Sequence, residues 1–138
     1  MKSMRRAAFA VIAFVTLGVL PACEKIPNVP PTASFIFSPV APINAGQTTV
    51  VFNASASRDS DGTIAAYVWD FGDGTPPQSI NGPTTAHVFP DTGATCATIT
   101  YAVLLTTVDN SGEQGTASQN LTVTELPAPS SLVCQAAR

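Results

Sequence analysis

The chain has 138 residues, with six Lys and Arg against nine Asp and Glu and a formal net charge of −3. Only 11% of the residues are charged while 45% are hydrophobic, which excludes a solvated, disordered chain. The acidic balance argues against nucleic acid as a partner, and one His with three Cys leaves almost nothing for a catalytic zinc site or a histidine-based triad.

Lys2, Arg5 and Arg6 precede an uncharged run from Ala7 to Leu20 (AAFAVIAFVTLGVL). A basic start followed by an apolar run of this length is the pattern of a signal peptide. The run is too short to stay in a bilayer as a spanning helix. A buried core helix is the alternative; the basic residues in front, Ala22 and the Pro-rich stretch behind favour export. The apolar run ends in Leu20-Pro21-Ala22-Cys23, which resembles the lipobox of bacterial lipoproteins. That resemblance implies removal of residues 1–22 as a lipoprotein signal peptide and a diacylglyceryl group on the Cys23 thiol. Ordinary signal-peptidase cutting after Ala22, without lipid, is the alternative. With several acyl chains, each buried CH2 contributing about 0.8 kcal/mol, the membrane becomes a stable partner. Glu24 follows the cysteine, and by resemblance to enterobacterial sorting this places the protein in the cell envelope at the outer membrane. Past residue 22 only Lys25, Arg58 and Arg138 stand against all nine acids. The mature body is therefore more acidic than the precursor, and lipid rather than charge would hold it to an anionic surface.

Residues 23–31 read as a Pro-rich tether. Pro27, Pro30 and Pro31 oppose a helix and favour an extended chain reaching about 25 Å at about 3.1 Å per residue. From residue 32 to 125 the pattern is all β. Strands are predicted at Ala33–Phe37, Gln47–Asn53, Thr63–Phe71, Thr84–Phe89, Ile99–Val108 and Thr116–Thr124, each rich in Val, Ile, Thr, Tyr or Phe. Between them lie turns rich in Asp, Asn and Gly, whose side chains bond local backbone or supply positive φ. About seven short antiparallel strands over this length imply a two-sheet sandwich of immunoglobulin type. Residues 126–138 form a C-terminal tail.

The densest motif is Tyr67-Val68-Trp69-Asp70-Phe71-Gly72-Asp73-Gly74. Alternation sets Tyr67, Trp69 and Phe71 on one face, with Trp69 as the core anchor. Gly72-Asp73-Gly74 then reverses the chain. The stretch resembles the WDFGDG signature of the PKD domain. Other pieces agree in order: Pro31-Thr32-Ala33, Phe52–Ser57 (FNASAS), Asp59-Ser60-Asp61-Gly62, His87-Val88-Phe89 and Val103–Gly112 (VLLTTVDNSG). The resemblance covers roughly residues 31–124; Pro90–Thr98 (PDTGATCAT) is longer than the short Gly-containing turn usual there. It implies a non-catalytic β-sandwich module of cell surfaces and secreted hydrolases, acting as a spacer or binding proteins and polysaccharides.

Some members of that family bind calcium in loops, and Asp59, Asp61, Asp70 and Asp73 could offer the oxygen ligands calcium needs. The favoured reading is instead that Asp59 and Asp61 cap turns while Asp70 and Asp73 bond amides around the Gly-rich reversal. No spacing matches a recognised metal loop, so no metal and no cofactor is expected. His87 reads as a structural histidine. No Ser or Thr sits in a nucleophile elbow, so the chain is not expected to be an enzyme. With Cys23 spent on lipid, Cys96 and Cys134 can pair in an exported protein, closing a loop of about 38 residues at about 4 kcal/mol of chain entropy. Free thiols are the alternative. The function implied is a lipid-anchored envelope module that binds a protein or polysaccharide; the alternative is a structural spacer or assembly subunit without its own ligand. A binding face would show exposed aromatics or a concave polar patch.

Overall fold

The computed structural model describes residues 26–93 and 96–126. The signal segment, Cys23 and Cys134 lie outside the described residues. Seven strands follow in chain order: β1 (Ile36–Ser38), β2 (Thr49–Asn53), β3 (Ile64–Asp70), β4 (Gln78–Ile80), β5 (Thr84–Val88), β6 (Thr98–Asp109) and β7 (Gln114–Thr124). They form two antiparallel sheets, β1-β2-β5 and β4-β3-β6-β7. This is the all-β, immunoglobulin-like sandwich expected.

The longest strand, β6, forms where the alternation is longest. β6 carries Tyr101, Val103, Leu105, Thr107 and Asp109 on its inner side and Ala102 and Leu104 on its outer side. β7 pairs with it without interruption from Thr98↔Thr124 to Val108↔Gln114. β3 buries Tyr67 and Trp69, and Phe71 just beyond it, as the alternation predicts. A bulge between Ile64 and Ala66 shifts its register against β6.

The core closes around Trp69, which is fully buried. Phe35 meets it edge-on, with ring centres 5.2 Å apart at 82°, and Phe52 lies 5.6 Å away. Such tilted arrangements suit the charge distribution of aromatic rings. The indole Nε1–H has no partner, so Trp69 anchors by packing alone.

Three elements differ from the sequence expectation. Ladder pairing of the first strand starts only at Ile36, because the chain before it is held by a side chain. The Ser57 hydroxyl donates to Ser34 O and accepts from Ser34 N, both at 3.0 Å. β4 was not among the predicted strands; Gln-Ser-Ile has no apolar alternation, and its order comes from pairing with Tyr67–Trp69. Residues 43–45 extend the edge of the four-stranded sheet through a parallel bridge, with Thr124 N donating to Ile43 O and Ala45 N to Thr124 O.

Candidate binding site

The WDFGDG segment ties the sheets together. Asp70 Oδ1 accepts from Gly72 N at 2.9 Å. Gly72 has φ +70°, and a Cβ there would meet Ala102 O at 2.6 Å, so only glycine fits the reversal. Asp73 Oδ1 accepts from Thr75 N at 3.0 Å and Thr75 Oγ1 at 2.6 Å, while Oδ2 meets His87 Nε2 at 2.6 Å. Burial pushes the Asp73 carboxyl up, but the bonds from Thr75 and His87 outweigh it and hold the pKa below the ordinary value. The imidazole lies flat on Phe71, centre to centre 3.9 Å and 6° from parallel. One ring nitrogen and the ring face of His87 are thus committed, the structural role expected for it.

Asp59 and Asp61 lie at the opposite end of β3. Asp59 and Asp61 precede β3, Asp70 and Asp73 follow it, and a seven-residue strand separates the pairs by about 23 Å. The four cannot share one ion. Asp61 Oδ2 accepts from Val29 N, and Asp59 Oδ1 from Asp61 N, as turn-capping residues do. Asp59 Oδ2 is buried without a partner. Among the described residues no group of three His, Cys, Asp or Glu is arranged to hold a metal.

Sequence reasoning did not single out Asp109 or Glu125. Asp109 is buried at the end of β6; its Oδ2 accepts from Asn28 Nδ2 at 2.6 Å and its Oδ1 from the amides of Ser111 and Glu113. Burial raises its pKa, but those donors outweigh it and the carboxyl sits below the usual range. The Pro-rich stretch is therefore docked by residue 28, and Pro31 is buried. Glu125, also buried, accepts from Thr92 N and Thr92 Oγ1 and holds the start of the long Pro90–Thr98 segment against the domain.

No aromatic ring among the described residues is exposed. The concave surface lies elsewhere, at the end of the three-stranded sheet. Ile36, Asn53, Ser55, Ala56 and Arg58 line a groove of about 340 Å³. Ile36 is 67% exposed beside it. β1, the end of β2 and the turn after β2 supply these residues, and none of them was singled out from sequence. The motif residues Trp69–Gly74 lie in the other sheet and its turn, outside the groove.

The PKD domain family model matches residues 28–124. Over 74 residues the chain is 39% identical to collagenase ColA of Clostridium perfringens (strain 13 / Type A), a match spanning 54% of this chain and 6% of that protein. It is 37% identical over 73 residues to the pre-pro-metalloprotease PrtV of Vibrio cholerae (strain M66-2), 53% of this chain and 7% of the relative. The shared segment is thus a small fraction of these curated relatives. Among solved structures, one concerned with the promiscuous specificity of carbohydrate-binding modules of the β-sandwich superfamily superposes with a TM-score of 0.62 at 40% identity, over 72% of this chain and 36% of that one. The PKD1 domain of Vibrio anguillarum Epp superposes with a TM-score of 0.51 at 26% identity, over 73% of this chain and 100% of that one. With the sandwich, the Trp69 anchor and the Asp73–His87 staple in place, the chain belongs to the PKD domain family.

Proposed function

We propose that this protein is a non-catalytic, lipid-anchored module of a bacterial cell envelope that binds an envelope protein or a polysaccharide at the groove beside β1. The groove carries the reading, since it is a concave surface in which Arg58, Asn53 and Ser55 stand beside Ile36 and Ala56, the mixture of polar and apolar groups that a binding role requires. Likeness to a structure of carbohydrate-binding modules supports the polysaccharide arm. Lipid on Cys23 and residence at the outer membrane are supported by the Leu20–Cys23 motif and Glu24. A bridge between Cys96 and Cys134 is supported by the oxidised state of Cys96 and by the export signal.

A structural spacer is the second reading, favoured by the lack of an exposed aromatic ring among the described residues. One experiment tests the anchor and a second separates binding from spacing. Intact mass of the mature protein should show an acylated Cys23, and Cys23→Ser should block processing or release the protein from membranes. An unmodified amino terminus refutes the anchor. Pull-down from envelope lysate and electrophoresis through polysaccharide-containing gels should then return a partner that Ala56→Glu, in the groove, abolishes. Failure of both leaves the spacer.

A further inference from the structure

Arg58 is the only Lys or Arg among the described residues, and no carboxylate pairs with it. The one close contact of a basic side chain with a carboxylate among them is that of His87 with Asp73. Even so, the guanidinium is fixed. Its Nη1 donates to Ser55 O at 2.8 Å and to Ser57 O at 2.9 Å. The backbone beneath it is bridged to Thr32 in both directions, at 2.7 and 3.0 Å. Both side-chain bonds use one terminal nitrogen. The Nε–Nη2 edge is left without a partner, and that is an edge that can receive a carboxylate through two parallel hydrogen bonds. Asp59, the nearest acid in sequence, is turned toward Gly62 and Asp61 instead.

The groove that Arg58 lines offers neutral donors as well. Asn53 uses Oδ1 to accept from Ser55 N at 2.9 Å, which leaves its Nδ2 hydrogens available. The Ser55 hydroxyl has no partner, and Ile36 and Ala56 contribute the apolar part of the lining. A volume of about 340 Å³ stands near the lower end of the range for small-ligand sites.

We propose that this groove binds a uronic-acid unit of an acidic polysaccharide, with Arg58 holding the carboxylate, Asn53 and Ser55 meeting ring hydroxyls, and Ile36 and Ala56 against the apolar side of the ring. The inference deepens the polysaccharide arm of the proposed function and rests on it. An acidic peptide adding as a strand is disfavoured just before β1, where the backbone of residues 34 and 35 is already bonded. Ser57 takes both backbone groups of Ser34, and Gln119 Nε2 donates to Phe35 O. A peptide adding as a strand would need those groups.

The test is affinity electrophoresis of the mature chain through gels holding polygalacturonate, alginate, carboxyl-reduced polygalacturonate or a neutral glucan. A uronate polymer should retard the protein, and the reduced polymer and the glucan should not. Arg58→Gln should weaken retention by about tenfold or more, the loss expected for a charge-assisted pair, and Arg58→Lys should fall between because it keeps charge but lacks the fork. Ala56→Glu, which leaves the Arg58 bonds in place, should also release the protein, and tryptophan emission checks that each variant is folded. Equal retention of Arg58→Gln and the parent, or of the acidic and reduced polymers, overturns the uronate assignment but leaves polysaccharide binding standing. Release by polyglutamate as efficient as release by galacturonate oligomers overturns it in favour of a peptide. No retention by any polymer overturns it together with the polysaccharide arm.

Discussion

His87 Nε2 stands 2.6 Å from Asp73 Oδ2, and this contact joins β5 of one sheet to the turn after β3 of the other. Asp73 is the fixed end, since Thr75 supplies it with two further donors and its side chain is fully buried. The pair links the sheets at the end of the sandwich where Phe71 stacks on the imidazole.

Asp73→Asn should cost about 1–3 kcal/mol at neutral pH, because an amide turns a donor toward a site built for acceptors. The sign of the pH effect follows from the lowered carboxyl. A group whose folded pKa is depressed stabilises the fold above its ordinary value, here 3.8, and that contribution is lost as pH falls through the lower folded value. Melting curves of the parent and Asp73→Asn should therefore converge as the pH falls below 3.8. A gap that stays constant over that range would show that the Asp73 charge contributes nothing.

Trp69→Ala should cost about 3–5 kcal/mol, most of the stability of a small domain holding about 5–15 kcal/mol. Trp69→Phe should cost much less, because it also removes an indole N–H that is buried without a partner. Denaturant titration measures both, and native emission should be blue-shifted. Emission like that of free tryptophan in a cooperatively folded sample would contradict burial.

Gly115→Ala should loosen the N-terminal segment. A Cβ at Gly115 would fall 1.8 Å from Pro31 O, so the backbone at residue 31 has to move. The cost is about 1–3 kcal/mol, typical of overpacking. The Asn28–Asp109 bond should weaken with it. Limited proteolysis should then cut near residues 26–31 in the variant at protease concentrations that spare the parent; identical digestion would mean that the segment is not held there.

Reduction should lower the melting temperature and open residues 127–138 to protease without unfolding the sandwich, since the strands bury their own core. A thiol count on denatured, non-reduced mature protein decides the underlying Cys96–Cys134 pairing. Two titratable thiols per chain would show the bridge absent.

Features set by local pattern were legible in the residues. A side-chain period of two puts Tyr67, Trp69 and Phe71 on one face whatever lies across from them, and the structure buries all three. Gly72 and Gly74 mark the reversal because few other residues adopt positive φ there. The longest strand, β6, was found because its alternation runs unbroken from Ile99 to Asp109. Features set by distant partners were not legible. β4 is ordered by β3, and its own three residues carry no signal. Asp109 reads as a turn residue, yet it is buried because Asn28, 81 positions away, and two local amides satisfy its carboxylate. Arg58 looks like an ordinary loop arginine. Its Nη1 bonds go to the nearby carbonyls of Ser55 and Ser57, and it is the pairing of β1 with β2 that sets Ile36 beside them as the other wall of the groove. Alternation and turn chemistry act between neighbours in the chain and can be read from it. A buried charge or a groove needs groups brought together across the chain, and their mutual placement exists only once the sheets have packed.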